Sequence, residues 1–374
     1  MKILVAHLDD ITVCPPVYTA VQLLLELGYN VTLITYNVDK LAVELSSNSK
    51  LECINLGRRV NPKNSIKKYY LRFKKRISIR KYFRDNINKF DIVWTTSEIG
   101  VREIGDILFS AKKHIMQLME LVDYVPLFGN HSLITFPIEK FAQKAYKVVV
   151  PEYNRAHIVK VRWNLDKLPN ILPNKPYFTE VKNLSNKAIQ IIEVLKNEKR
   201  KIILYQGGFT EDRRFEEFIE AIEQLGDKYV FYIMGKKNEY CEKLLSKYPS
   251  IVYVGSLNPP EHLVVAKYAY IGVLTYIPVK TAFYSELNAL YCAPNKIYEY
   301  ALHNLPMIGT DVPGLTNIFE KYNIGVSCKE LTVNEIKNAI RKVDTNYEIM
   351  RSSCAKFYND TNLIEIMREI IGND

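Results

Sequence analysis

Short apolar runs alternate with segments of helical periodicity along the first half of the chain. Between the first two runs, VYTAVQLLLELG (17–28) carries an apolar helical stripe and ends at Gly28, the residue type at which helices commonly terminate. Alternating strands and helices are typical of a parallel sheet with helices on both faces. The predicted strands of this half are residues 2–7, 30–35, 51–56, 90–96, 114–120 and 146–151.

The alternation restarts after a polar, proline-containing passage, DKLPNILPNKPYF (166–178). The predicted strands of the second half are residues 201–207, 228–235, 250–256, 270–276, 305–310 and 323–328. The predicted helices lie near residues 215–225, 239–247, 260–268, 294–303 and 332–342. The sequence thus predicts an α/β fold with two Rossmann-like domains that face each other across a cleft. Ligands of such sheets bind outside the carboxyl ends of the strands.

Composition agrees with a globular chain of two domains. The chain has 374 residues, of which 48% are apolar and 25% are charged, and a chain of this length exceeds one ordinary core. No apolar run approaches the roughly 20 residues of a membrane-spanning helix. The start, MKILVAHLDD, predicts a first strand and not a signal peptide. The six cysteines have neither CxxC nor zinc spacing, so we expect reduced thiols in the cytosol and no metal site.

The net charge of +10 comes entirely from the first half. Residues 1–180 hold 27 basic and 17 acidic residues, whereas the remainder holds 24 of each. Residues 58–84 alone contain twelve basic residues and no acidic one. Apolar residues recur in this segment at helical spacing: Ile66, Tyr69, Tyr70, Phe73 and Ile77. Basic residues surround them: Lys67, Lys68, Lys74, Lys75 and Arg76.

Three interpretations of this basic segment remain open. The first is the basic outer face of a Rossmann helix, and the second is a nucleic-acid-binding surface. The third is a surface that binds anionic membranes, where each basic residue near lipid adds about 1 kcal/mol of binding free energy. No recognisable RNA- or DNA-binding module accompanies it. We favour the membrane and expect no nucleic-acid partner.

A glycine loop precedes a predicted helix in YQGGFTEDRRFEEFIEAI (205–222). Gly207 and Gly208 follow a strand and let the backbone approach a ligand closely, and a helix N-terminus favours an anion. Arg213 and Arg214 add positive charge. The alternative is an ordinary strand-to-helix turn with solvated arginines.

The stretch APNKIYEYA (293–301) places a lysine at the start of a predicted helix. Pro294 suits the first helical position, Asn295 could cap the helix, and Lys296 then lies beside the positive end of the helix dipole. A bound phosphate would explain that lysine, and Glu299 could accept hydrogen bonds from sugar hydroxyls. The alternative is a surface ion pair between Lys296 and Glu299, which are three residues apart.

The segment NALYCAPNKIYEYALHNLPMIGTDVPGL (288–315) resembles the signature of glycosyltransferase family 4 (group 1), the sugar-nucleotide-dependent enzymes of the two-Rossmann GT-B architecture. The resemblance implies that Glu299 contacts the ribose of the nucleotide. It also implies that Lys296 lies near the donor diphosphate or sugar and that Arg213 balances the diphosphate charge. It implies retention of anomeric configuration and no requirement for a divalent metal.

Two features depart from that family. Its members often carry a second glutamate that would fall at position 291, where this chain has Tyr291. The first βα loop is often glycine-rich, whereas here it reads HLDDITVCPP (7–16).

On the acceptor side, Glu120 lies where relatives often show a His-Glu pair, with Met119 in place of the histidine.

Other acceptor-side candidates are less specific. His7 and Asp9 at the end of the first strand could also face the cleft. His114 and His131 could equally be structural histidines.

Together these observations predict a cytoplasmic, peripherally membrane-associated glycosyltransferase. It would move a hexosyl unit from a nucleotide-diphosphate sugar, a UDP-sugar by preference, to a lipid-linked or saccharide acceptor in surface-polysaccharide biosynthesis. No cofactor is expected. Residues 1–170 would bind the acceptor, residues 171–350 the donor, and residues 351–374 would form a helix that returns to the first domain.

The residues expected to act are of two kinds. The predicted catalytic residues are Arg213, Lys296 and Glu120, and the predicted donor-binding residues are Gly207, Gly208, Arg213, Asn295, Lys296 and Glu299. Two alternative functions are a non-catalytic nucleotide-sugar-binding subunit of a polysaccharide assembly complex and a GT-B sugar-nucleotide epimerase.

Overall fold

The chain forms two compact units. The computed structural model describes residues 1–11, 14–41, 43–58, 65–127, 134–177, 181, 184–280 and 284–372. Unit 1 comprises Met1–Pro173, Lys280–Ser285 and Leu363–Asp374, and unit 2 comprises Asn174–Val279 and Glu286–Asn362. The chain therefore passes between the units several times.

Unit 1 is built around a seven-stranded sheet in the order β3-β2-β1-β4-β5-β8-β9, and its strands pair in parallel. A separate antiparallel pair, β6-β7, was not predicted. The strands are β1 (Lys2–Asp10), β2 (Asn30–Tyr36), β3 (Leu51–Asn55), β4 (Ile92–Thr95), β5 (His114–Gln117), β6 (Val125–Pro126), β7 (Thr135–Phe136), β8 (Lys147–Val150) and β9 (Asn170–Ile171). The helices are α1 (Pro15–Glu26), α2 (Val43–Ser46), α3 (Ser65–Asn86), α4 (Glu98–Ile104), α5 (Ile138–Lys144) and α6 (Tyr153–Arg162).

Unit 2 has a six-stranded parallel sheet in the order β12-β11-β10-β13-β14-β15. Its strands are β10 (Lys201–Gln206), β11 (Tyr229–Met234), β12 (Val252–Tyr253), β13 (Ile271–Leu274), β14 (Met307–Thr310) and β15 (Gly325–Cys328). Its helices are α7 (Asn186–Asn197), α8 (Glu216–Gln224), α9 (Glu239–Lys247), α10 (Leu263–Ala266), α11 (Leu287–Leu290), α12 (Asn295–Ala301), α13 (Pro313–Tyr322), α14 (Val333–Thr345) and α15 (Tyr347–Asp360).

Burial of the central strands explains both sheets. Ile3, Leu4 and Val5 of β1 are fully buried, as are Ile203 and Leu204 of β10. A parallel strand covered by helices on both faces must be apolar on both sides, which gives the continuous apolar runs of the sequence. The prediction of two Rossmann-like domains is confirmed, and in both sheets the strand order reverses between the first strand and its neighbour across the sheet.

The C-terminal region is two helices rather than one. The predicted boundary at residue 351 falls inside α15, which belongs to unit 2. The following helix, α16 (Leu363–Ile371), belongs to unit 1 and packs against α1. Among the described residues, no helix is long and apolar enough to cross a bilayer.

The carboxylate of Asp344 accepts hydrogen bonds from four residues at the amino-terminal edge of the unit 2 sheet. Asp344, near the end of α14, accepts hydrogen bonds on Oδ1 from Lys201 Nζ at 2.8 Å and Tyr270 hydroxyl at 2.5 Å. Its Oδ2 accepts one from Tyr229 hydroxyl at 2.7 Å and another from Lys228 Nζ. Burial raises the pKa of Asp344, but these four donors outweigh it and hold that pKa well below its usual value.

We expect Asp344→Asn to lower the free energy of unfolding of unit 2 by about 2 kcal/mol at neutral pH, because two ammonium groups lose their anionic partner. The folded pKa lies below the unfolded value of about 3.9, so this contribution is present above about pH 5 and is lost as the pH falls further. Urea unfolding of wild type and variant at neutral and acidic pH measures it. Asp227→Asn, which removes an exposed carboxylate of the same unit, is the control. Equal losses in the two variants would contradict the assignment.

Candidate active site

The carboxyl edge of the unit 2 sheet collects the polar residues of this unit. Gln206 ends β10, Gly207 follows it, and Thr275 follows β13, the neighbour of β10. The strand order reverses between β10 and β13, the position at which ligands bind to such sheets. Lys296 and Glu299 of α12 and His262, the residue before α10, complete the group.

Glu299 is a buried carboxylate held at both oxygens. Its side chain belongs to α12, and the residue is 5% exposed. Gln206 Nε2 donates to Oε2 at 2.7 Å, and His262 Nε2 lies 3.2 Å from Oε1. Burial raises the pKa of Glu299, but His262, Lys296 and Gln206 together outweigh it and lower that pKa. Glu299 therefore remains an anion, and it is not part of a surface ion pair.

Lys296 lies against the glycine loop. A Cβ atom placed on Gly207 would lie 2.7 Å from Lys296 Cε and 3.0 Å from its Nζ, so a larger residue there would displace the end of the lysine side chain. Gly207 also has φ of +142°, which favours glycine. Burial lowers the pKa of Lys296 to about 8, Glu299 raises it and Arg213 lowers it further. Within the described part of the chain, the ammonium group has no ion-pair partner.

Arg213 is fixed beside the same edge. Its Nη1 donates to the carbonyl of Thr275 at 3.1 Å, and its guanidinium carbon lies 3.6 Å from the ring centroid of Tyr276. Stacking on an aromatic ring orients the planar guanidinium. Asp212 Oδ2 lies 3.8 Å from Arg213 Nε, and Arg214 pairs with Glu217 three residues away. Of the two arginines, Arg213 is the one held by residues of this edge.

The start of α12 differs by one residue from the prediction. Pro294 is the N-cap, with φ of −71° and ψ of 135°, and Asn295 is the first helical residue. The prediction that Asn295 caps the helix is therefore wrong, although Lys296 remains in the first turn. The physical reason is that proline fixes φ but leaves ψ free, so it fits either position.

Three buried polar atoms at this edge have no hydrogen-bond partner in the described part of the chain. They are Gln206 Oε1, His262 Nδ1 and Thr275 Oγ1. Buried polar groups are normally paired, so unpaired ones need an explanation, and a role in binding a ligand is one. Gln206 and His262 were not predicted, because they lie 93 and 37 residues from Glu299 along the chain.

Unit 1 places Glu120 in a second group of polar residues. Arg155, which is 4% exposed, donates to the carbonyl of Met119 at 2.9 Å, and its Nη1 lies 3.7 Å from Glu120 Oε2. Burial and then the charge of Glu120 raise the pKa of Glu98, against the effects of its own backbone N–H and of Arg102. Burial, with Glu98 and Glu120, also raises the pKa of Tyr284. The side chain of Glu120 is 45% exposed and so can reach solvent or a ligand.

The histidine candidates of unit 1 have different settings. His7 is buried, and its Nδ1 lies 2.8 Å from Thr96 Oγ1. His114 is buried, its Nε2 lies 2.9 Å from Thr95 Oγ1, and burial lowers its pKa to about 4, so it has a structural role. The backbone carbonyl of Asp9 accepts a hydrogen bond from the Thr35 hydroxyl at 2.7 Å. His131 lies outside the described residues.

The basic residues of α3 point in two directions. Lys75 Nζ donates to the carbonyl of Leu56 and lies 5.0 Å from the ring centroid of Tyr36. Arg76 donates to the carbonyl of Arg102 at 3.2 Å and pairs with Glu103. Both therefore face unit 1 rather than solvent, whereas Lys74 is exposed. The side chains of Lys67 and Lys68 lie outside the described part.

The described residues contain no group of three or more histidine, cysteine, aspartate or glutamate side chains arranged to hold a metal ion.

Comparison with known proteins extends this description. The profile of the family "Glycosyl transferases group 1" matches residues 200–346, which span the strands and helices that carry the unit 2 site. The matched stretch is less than half of the 374 residues, and over it the chain is similar to the group 1 glycosyltransferases. The match indicates a glycosyltransferase that depends on a nucleotide-sugar. No curated protein matches the chain.

Solved structures of glycosyltransferases share the fold along the whole chain. A glycosyltransferase from Rickettsia africae has 15% identity and a TM-score of 0.63, over 100% of this chain and 99% of its own. Sucrose-phosphate synthase from Thermosynechococcus elongatus has 14% identity and a TM-score of 0.63, over 99% and 94%. HepE from Anabaena, in complex with UDP and glucose, has 11% identity and a TM-score of 0.68, over 99% and 98%. At these identities the likeness establishes the GT-B fold.

The surroundings of Lys296 predict an unusual titration. A lysine normally titrates near pH 10.4, whereas Lys296 should do so near pH 8. Competitive acetylation across a pH series, with mass spectrometry of the modified peptide, measures this. Glu299→Gln should move the midpoint lower, because the carboxylate raises the Lys296 pKa, and Arg213→Met should move it higher.

Exposed Lys196 serves as the internal standard for that experiment. Midpoint shifts in the same direction for the two variants would contradict the charge arrangement.

Proposed function

We propose that the chain transfers a hexosyl unit from a UDP-sugar and that the carboxyl edge of the unit 2 sheet holds this donor. The observation that carries the proposal is the buried, anionic Glu299 beside an ammonium group that has no ion-pair partner in the described part of the chain. A carboxylate accepts hydrogen bonds from the two hydroxyls of a ribose, while a cation one turn earlier suits a phosphate. UDP is the nucleotide bound to HepE in its crystal structure.

The hydrogen bonds of Glu299 leave room for this ligand. Each carboxylate oxygen has two lone pairs, and one on each is used by Gln206 or His262. The remaining lone pair on each oxygen is available to a ribose hydroxyl. Gln206 and His262 would then orient the carboxylate, and the family resemblance of Glu299 agrees with this role.

The reaction places negative charge on the leaving group. As the bond between the anomeric carbon and the diphosphate oxygen breaks, the diphosphate takes up the electron pair. Lys296 and Arg213 would stabilise that charge, which is the role of a positioned cation in catalysis. Gly207 and Gly208 lack side chains and would let the diphosphate approach the backbone, since a Cβ on Gly208 meets nothing within 4 Å. Asn295, the first residue of α12 and the neighbour of Lys296, would lie beside the donor.

The acceptor would bind to unit 1, where Glu120 lies in a polar group with Arg155 and Tyr284. We propose a lipid-linked or saccharide acceptor in surface-polysaccharide biosynthesis, retention of anomeric configuration, and peripheral association with an anionic membrane on the cytoplasmic side. The support for a lipid-linked acceptor is the excess of basic residues in unit 1. No cofactor or metal would be required.

Calorimetric titration of UDP and of GDP into the full chain, with a chelator present, tests the donor site. We expect micromolar binding of UDP by wild type and at least 30-fold weaker binding by Glu299→Ala, a loss of roughly 2 kcal/mol. Glu348→Ala removes an exposed carboxylate of unit 2 and is the control. If UDP binds only when a divalent metal is supplied, the metal-free site is wrong, and if neither nucleotide binds, the donor site itself is wrong.

Comparing uridine with UDP separates the roles of Lys296 and Glu299. Lys296→Met should weaken UDP by about tenfold or more and leave uridine unchanged, because uridine has no phosphate. Glu299→Ala should weaken both ligands, because both contain the ribose. Calorimetry of each variant with each ligand gives the four constants. An equal loss of uridine in the two variants would show that Lys296 does not act on phosphate.

One observation favours a second function. Tyr291 stands where family members often carry a glutamate, so the chain could hold a nucleotide-sugar without turning it over. Release of UDP from UDP-hexoses by the purified protein, measured with and without membrane lipid extract, separates the enzyme from such a binding subunit.

A further inference from the structure

Helix α3 has apolar side chains on two different sides. Ile79 and Phe83 pack into unit 1 and are 6% and 0% exposed. Tyr70, Phe73 and Ile77 are 63%, 65% and 54% exposed. At about 100° per residue, these three fall within a sector of about 60° that points well away from Ile79 and Phe83. Packing in the core of unit 1 therefore does not explain why these three exposed side chains are apolar.

Exposed cations flank this apolar stripe. Lys74, Lys81 and Arg84 are exposed, and the helical spacing places them within about 50° of its edges. Three other cations of the helix are engaged within unit 1: Lys75 and Arg76 as described, and Arg80 by pairing with Asp106. The exposed face thus combines large apolar side chains with net positive charge, three cations against the single exposed carboxylate of Asp85. We call the six residues Tyr70, Phe73, Lys74, Ile77, Lys81 and Arg84 the α3 face.

We propose that the α3 face docks on an anionic lipid surface, with Tyr70, Phe73 and Ile77 inserted among the lipid headgroups and acyl chains and the three cations on the lipid phosphates. This inference deepens the proposed membrane association and rests on it for its biological setting. At a membrane interface, the burial of exposed apolar side chains and the attraction of neighbouring cations to anionic lipids add.

Charge complementarity and side-chain type select the occupant. The cations match the negative surface potential of anionic lipids, and an exposed apolar stripe gains free energy by leaving water. A nucleic acid would also attract the cations, but an aliphatic side chain such as Ile77 offers a base no stacking surface and a phosphate no charge. We therefore assign the lipid surface and treat nucleic acid as an outcome of the test.

Vesicle co-sedimentation of the full chain tests the docking. The probes are vesicles of phosphatidylcholine alone and of phosphatidylcholine with about 30% phosphatidylglycerol. Wild type should bind the anionic vesicles at least tenfold more strongly, and salt should weaken that binding. Phe73→Ser and Ile77→Ser should each reduce it about tenfold through lost apolar burial. Lys74→Glu and Lys81→Glu should each reduce it about fivefold or more.

Matched variants elsewhere control for general effects on the surface. Ile349→Ser removes a side chain that is 61% exposed in unit 2, and Lys196→Glu reverses an exposed lysine of the same unit. Neither should change vesicle binding. Thermal unfolding of every variant checks that the chain remains folded.

Insertion has its own measurement. The natural tryptophans, Trp94 and Trp163, are buried. The emission of a tryptophan introduced by Phe73→Trp is therefore obtained by subtracting the wild-type spectrum from that of the variant. Its emission should shift to the blue when anionic vesicles are added. Vesicle binding without that shift would overturn insertion, and equal loss in the control variants would overturn the assignment to the α3 face.

Separate readouts distinguish this inference from the proposed function. UDP binding by the same variants should equal that of wild type, because the α3 face lies outside the unit 2 site. If UDP fails to bind wild type while anionic vesicles bind through the α3 face, the proposed function fails and the docking stands. If UDP binds but vesicles do not, or if an RNA oligonucleotide binds this face more tightly than vesicles do, the docking is overturned.

Discussion

The buried carboxylate of Glu299 is the interaction on which the unit 2 site depends. A buried charge is strongly unfavourable unless it is paired and hydrogen-bonded, and here Gln206 and His262 supply the donors. Those residues come from the end of β10 and from the residue before α10. The carboxylate can therefore remain ionised only when three elements of the fold are in place. The same requirement gives the carboxylate a fixed orientation, which a ligand-binding group needs.

The charges around Glu299 favour an anionic ligand. Burial lowers the pKa of Lys296, and the nearby charge of Arg213 lowers it further against the effect of Glu299. Arg213 is fixed by the Thr275 carbonyl and the Tyr276 ring, while Gly207 makes room for Lys296. Asp212 Oδ2 lies 3.8 Å from Arg213 Nε and balances part of the guanidinium charge, whereas Lys296 has no ion-pair partner among the described residues. A nucleoside diphosphate, with hydroxyls for Glu299 and phosphates for the cations, matches this distribution.

The basic residues of α3 have two different roles. Lys75, Arg76 and Arg80 fasten α3 to its neighbours through carbonyls and carboxylates, so they belong to the fold. The α3 face remains charged and apolar at the same time. A count of basic residues cannot separate these groups, since they alternate along one helix and differ only in the direction of their side chains.

The sequence alone determined the architecture and the local signature of this protein. Continuous apolar runs predicted all the longer strands of both sheets, because a strand buried on both faces must be apolar throughout, and the segment around Lys296 and Glu299 carried its own family resemblance. Several strand ends were predicted up to three residues too far, as with residues 114–120 for β5, because apolar residues continue where the hydrogen-bonded ladder ends. The end of β1 was predicted three residues too early, because the strand continues beyond His7 into the acidic residues Asp9 and Asp10.

Tertiary structure alone decided the partners of Glu299, the directions of the α3 cations and the start of α12. Gln206 and His262 are brought to Glu299 by the order of the strands, and no local pattern encodes a contact across 93 residues. The cap at Pro294 depends on ψ, which the proline ring leaves free and which packing fixes. Local sequence sets which elements form, whereas long-range packing sets which of their side chains meet.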